Sequence, residues 1–181
     1  MNGPRPLFAI GCCLFAIGVL TGRLTVSPPA QAQSAATPEA APKTGRVTGV
    51  GGVFFKSDHP DSLRNWYRDH LGLVTNEYGS LFEFRLADRP DVQGYLQWSP
   101  FKNTTKYFQP STKPFMINYR VADLAVLLER LKQDGVQVEG ELESFSYGTF
   151  AHIMDPEGNK IELWEPVDST FTAESSGQTT H

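Results

Sequence analysis

Cysteine is almost missing: the 181 residues hold two, Cys12 and Cys13, side by side within an apolar N-terminal run. Once that run is removed no thiol is left, which excludes disulfides, thiolate metal ligands and a cysteine nucleophile from the mature protein. Positive charge is also short, with 16 Lys+Arg against 20 Asp+Glu, and no basic run or basic stripe interleaved with aromatics occurs. Nucleic acid is therefore not an expected partner. Long apolar runs are lacking too. The longest, Leu7 to Leu20, has 14 residues, short of the ~20 that span a bilayer and right for the apolar region of a secretory signal. Ala30-Gln31-Ala32 follows with small residues flanking a cleavage point, and SAATPEAAPKT then reads as a flexible leader. The expectation is an exported (periplasmic or secreted) protein with a signal peptide at 1–32, a leader at 33–45 and no membrane contact after cleavage. Cleavage removes Arg5 and Arg23, leaving 14 basic against 20 acidic residues and a net charge of −6.

What is present is most strongly patterned between Phe150 and Pro166, FAHIMDPEGNKIELWEP. Asp155 to Asn159 is rich in turn formers, and the flanks read as the two strands of a hairpin. If Ile161 and Leu163 enter a core, the period of two sends Glu162 and Trp164 together to the other face. GYLQWSP, Gly94 to Pro100, superposes on KIELWEP with Trp98 on Trp164 and Pro100 on Pro166. Upstream, Gly52–Gly72 and Met116–Gly135 both run strand, turn, amphipathic helix, glycine. The chain thus holds a unit of roughly 50 to 60 residues twice, too small to bury a good core alone. Two copies packed together make one domain over 46–167, with modules at 46–99 and 115–167. Pro100 to Pro114 reads as a surface crossover loop. The Ser/Thr/Gly-rich residues 168–181 read as a disordered tail.

GGVFF…DHPDSLRNWYRDHLGLV, FMINYRVADLAVLLERLKQDGV and above all DPEGNKIELWEP resemble the vicinal oxygen chelate superfamily, which includes glyoxalase I, extradiol dioxygenases and bleomycin-resistance proteins. The resemblance covers about residues 46 to 167 and implies an α+β fold: two βαβββ modules related by internal duplication, forming an incomplete barrel around a cavity. Such a barrel could close within one chain or by exchange between two, so a homodimer is open. Metal-dependent members take ligands from the first and last strands of each module. Those positions fall here on Gly52 and its mate Met116, and on Leu96 and its mate Glu162. Only Glu162 carries a hard donor, so the expectation is no metal and no other cofactor, with a divalent ion as the alternative. A one-residue shift of the fourth strand would offer Gln97 but breaks the superposition of the tryptophans.

By alternation Glu162 shares its face with Phe54, Leu96, Trp98, Met116, Asn118 and Trp164, the expected ligand-binding set. Glu162 is the candidate acid or base, or else the ion-pair partner of Arg120 or Lys56. Arg120 could hold a carboxylate or enolate oxygen, or bridge at the rim. His152 lies near Glu162 in one hairpin register and on the helix side in the other. Three function classes follow: metal-free binding of a small organic molecule, a glyoxalase-like lyase or isomerase using Glu162, and an interaction module of an envelope assembly.

Overall fold

The first strand, β1 (Arg46–Ser57), is rich in Val, Phe and Gly, and it forms one of the two central strands of the sheet. Helix α1 (Pro60–Leu71) follows, with proline in its first turn where no amide donor is needed. It stops at Gly72, whose left-handed φ of 72° lets its N–H reach back to the last carbonyls. Strands β2 (Thr75–Asn76), β3 (Gly79–Arg85) and β4 (Gln93–Lys102) complete the first module. The second repeats the order as β5 (Phe115–Ala122), α2 (Leu124–Gln133), β6 (Val138–Phe145), β7 (Gly148–Met154) and β8 (Lys160–Pro166). This computed structural model describes residues 44–174 and 179–180. The expected signal segment and all but the last two residues of the leader lie outside them.

The eight strands form one open sheet in the order β2-β3-β4-β1-β5-β8-β7-β6. Within each module the first and last strands pair in parallel (β1 with β4, β5 with β8), and β1 meets β5 antiparallel at the centre. That arrangement is what a duplicated unit related by a pseudo-two-fold axis produces. The outer face of the second module carries the main core: Val121, Ala151, Ile153 and Leu163 pack under Leu124, Leu127 and Leu128 of α2. Ile161 joins them half-buried, so the period of two in IELW sorts the two faces as expected.

The register differs from the sequence expectation by one residue. Gly52 pairs with Gln97 and Asn118 with Glu162, so the counterpart of Glu162 is Gln97 rather than Leu96, and that of Gly52 is Asn118 rather than Met116. Trp98 faces the helix side, its ring 4.5 Å from Tyr67 of α1 and 5.5 Å from Phe55. Trp164 faces the other way. A large ring was needed under α1 and another on the concave face, so two tryptophans that align in sequence do not align in space. Leu96, two residues before Trp98, shares the helix side. Neither residue belongs to the concave set.

Two further segments are more ordered than their composition suggests. Asp168–Glu174 forms a short helix, α3. It is held by an ion pair from Asp168 to Arg120 and by Phe171 packed on Tyr95 and Trp164. Thr180 pairs with Phe82, and its hydroxyl meets Ser80 and the Val74 amide. One aromatic and one buried salt bridge are enough to order a polar tail. The crossover 103–114 is likewise no simple surface loop, because Phe108 within it is completely buried against Phe54, Met116 and Phe101.

Candidate functional site

Glu162 stands on β8 between Ile161 and Leu163, which the core takes, and its side chain is 3% exposed on the concave face. A carboxylate buried to that degree needs donors. Asn118, its parallel neighbour on β5, donates its amide to Oε2 at 2.9 Å. The Tyr107 hydroxyl, from the crossover loop, donates to Oε1 at 2.6 Å. His152 is directly opposite on β7, so the register left open by the sequence places it beside Glu162, with Nε2 3.4 Å from Oε1. That separation lies within ion-pair range without hydrogen-bond alignment, and both His152 Nε2 and Asn118 Oδ1 are buried without a hydrogen-bond partner. The site has capacity to spare on both a nitrogen and an oxygen.

Tyr107 is held on several sides. Its ring stacks on Phe101 at 5.7 Å, meets His152 edge-on at 5.6 Å, and lies 5.3 Å from the Lys160 ammonium. Lys160 also donates to the Tyr107 carbonyl at 2.8 Å. Burial of the phenol, reinforced by the negative charge of Glu162, pushes its pKa well above the usual tyrosine range. Burial pulls the Lys160 ammonium below its ordinary value, opposed in part by Glu162. Phe54 and Met116 line the apolar wall beside this cluster with Phe108, so the concave face is filled rather than open.

Arg120 is not part of the Glu162 cluster. Its guanidinium lies between the rings of Trp164 and Phe84, at 5.2 and 5.8 Å. It donates to the Tyr95 carbonyl at 3.2 Å and to Asp168 at 2.6 Å. Neither Arg120 nor Lys56 pairs with Glu162; Lys56 sits over the Phe108 ring. Of the expected site residues, then, the fold gathers Glu162, His152, Asn118, Phe54, Met116 and Trp164 on the concave face. It places Arg120 one layer away and Leu96 and Trp98 on the other side of the sheet. Tyr107 is a concave residue the sequence reading passed over, and Gln97 is the one it offered only under a one-residue shift of the fourth strand, the register the fold takes. The sign for Tyr107 was a Tyr-Phe pair, apolar cargo in an otherwise polar loop.

The donor set can be compared with what a divalent metal ion requires. Between Val50 and Gly52 the β1–β5 register slips by one residue. Both Gly51 and Gly52 face inward at this bulge, for a Cβ on either would strike Asn118, Trp164, Arg120 or Phe54. The first strand therefore offers no donor, and β5 offers a thioether and an amide. Among the described residues no group of three or more His, Cys, Asp or Glu side chains could share an ion. One carboxylate and one imidazole meet here, with the unpartnered amide oxygen of Asn118 beside them, whereas a catalytic divalent site takes three or more O/N ligands.

Residues 53–163 match the family model described as the Glyoxalase/Bleomycin resistance protein/Dioxygenase superfamily. Comparison with curated proteins gave no match. Among solved structures, methylmalonyl-CoA epimerase from Mycobacterium tuberculosis is 23% identical, covers 70% of this chain and 93% of its own, and has a TM-score of 0.45. A single-residue variant of Streptomyces coelicolor methylmalonyl-CoA epimerase, in complex with 2-nitronate-propionyl-CoA, is 16% identical, with coverages of 67% and 99% and a TM-score of 0.49. A superfamily member from Vibrio splendidus 12B01 is 15% identical, with coverages of 67% and 99% and a TM-score of 0.38. The assignment rests on the family model, which takes in more than half of the residues. The chain belongs to the glyoxalase/bleomycin resistance protein/dioxygenase superfamily.

Proposed function

We propose that this is an exported protein that binds a small aromatic molecule carrying a hydrogen-bond donor, at Glu162, without a metal ion or other cofactor. The observation that carries the reading is the seat of Tyr107: a phenol stacked on Phe101, edge-on to His152, with its hydroxyl on a buried carboxylate. A site that complements a phenol so closely is suited to a free one. Tyr107 is 39% exposed and comes from a loop, so a ligand can take its place by displacing one side chain rather than rebuilding a core. Asn118 Oδ1 and His152 Nε2, buried and unpaired, add polar contacts for a second substituent. Export is supported by the apolar run Leu7–Leu20 and the small residues at Ala30 and Ala32. Intact-mass analysis of the mature protein tests that half of the reading.

The direct test is calorimetric titration of the protein with 4-hydroxybenzyl alcohol in the presence of EDTA. Saturable binding that weakens in Glu162→Gln supports the reading, since the amide keeps the shape but not the charge. Binding that needs an added divalent ion, or no binding, contradicts it.

One observation favours a second reading, a lyase or isomerase. The Glu162–His152 pair, at 3.4 Å, could move a proton between two carbons of a bound substrate. Turnover lost in both Glu162→Gln and His152→Gln, with binding retained, would distinguish it.

A further inference from the structure

At the end of the sheet away from Tyr107 and Phe108 there is a cleft of about 750 Å³, a size suited to small organic ligands. Its walls come from the start of β1, the β3–β4 connection and the ends of β5 and β8. Arg46, Arg85, Arg89 and Arg120 line it, with Asp88, Glu165 and Asp168.

The charges do not cancel. Glu165 is engaged, accepting from the amides of Asp123 and Leu124 at the start of α2. Asp168 and Arg120 neutralise each other. Among the described residues the side chains of Arg46, Arg85 and Arg89 form no ion pair or hydrogen bond, and Asp88 is the one lining carboxylate left without a partner. Three free guanidinium groups therefore face one free carboxylate, on a chain whose net charge is −4. Clefts with low-dielectric walls concentrate such a local field. A second, independent feature lies in the same wall. Asp168 Oδ1 is buried and accepts no hydrogen bond, so a group entering here meets an acceptor in want of a donor.

We infer that this cleft is a second binding site, separate from Glu162, for a small organic anion that also carries a hydroxyl or ammonium group. The arginines hold the carboxylate or phosphate with charge-assisted hydrogen bonds, and Asp168 takes the donor. The layer of Arg120 on Trp164 separates the cleft from the Glu162 cluster.

Calorimetric titration of the full chain at low salt with malate, succinate, glycerol 3-phosphate and glycerol tests this. Malate or glycerol 3-phosphate binds saturably with one site per chain, glycerol does not, and the anion that binds identifies a carboxylate or a phosphate as the natural group. Succinate, which lacks the hydroxyl, binds more weakly than malate. The double variant Arg85→Gln/Arg89→Gln loses about tenfold or more in affinity, as expected when charge-assisted bonds go. Arg130→Gln, exposed on the outer side of α2, changes nothing. The inference fails if neither anion saturates, if the double variant binds as the wild type does, or if Arg130→Gln weakens binding equally. Equal affinity for malate and succinate would overturn the role given to Asp168.

Discussion

The Tyr107 hydroxyl donates to Glu162 Oε1 at 2.6 Å across a sequence separation of 55 residues. It joins the crossover loop to the last strand of the sheet. The bond exists only with the phenol protonated, and burial followed by the Glu162 charge raises the Tyr107 pKa well above its unfolded value. A group raised in the folded state contributes stability fully below its unfolded pKa, near 10, and loses it as pH rises beyond that. Thermal stability should therefore fall from about pH 10 upward. The loss should stay below about 1.4 kcal/mol per pH unit, since a partly exposed ring is screened by solvent. Thermal denaturation of wild type and Tyr107→Phe between neutral and strongly alkaline pH checks this, with the slope reduced in the variant.

Arg120 is 3% exposed, and Asp168 is its one ion-pair partner among the described residues, at 2.6 Å. Removing one member of a buried pair leaves an uncompensated charge, at a cost of about 3–5 kcal/mol. Asp168→Ala should lose about 3 kcal/mol in urea denaturation, at the low end because Asp168 reaches solvent in part, and Asp168→Asn should lose less. A loss under about 0.5 kcal/mol would mean that α3 does not hold the arginine.

The start of α2 is capped from outside the helix. Asp123, the residue that precedes the helix, sits at a positive φ of 54° with no capping bond from its side chain. Glu165 of β8 accepts instead from the amides of Asp123 and Leu124, at 3.1 and 3.0 Å. Glu165→Ala should cost about 1–2 kcal/mol, as loss of an N-cap does, and Glu165→Gln less. Chemical denaturation of both variants measures it.

These three relationships show where sequence legibility ends. The duplicated strand-helix order, the hairpin over 150–166 and the inward turn of Glu162 follow from periodicity and turn chemistry, which are local. The face of Trp98 did not follow, because a one-residue register slip reverses every side chain of a strand and packing under α1 decides it. Tyr107, Glu165 and Asp168 each act on a partner more than 40 residues away. No local pattern encodes such contacts. A tyrosine in a polar loop and a carboxylate past the last strand look like solvent-facing residues until the fold brings their partners up.

The account turns on Tyr107 standing where a ligand goes, and one titration tests that most directly. Wild type, Tyr107→Ala and Tyr107→Ala/Glu162→Gln are titrated with 4-hydroxybenzyl alcohol in EDTA. A site occupied by its own side chain binds with an affinity reduced by the fraction of time it is open. Tyr107→Ala should therefore bind about tenfold or more tightly than wild type, and the double variant should lose that gain. Equal or weaker binding by Tyr107→Ala, or a gain that survives the loss of the Glu162 charge, would contradict it.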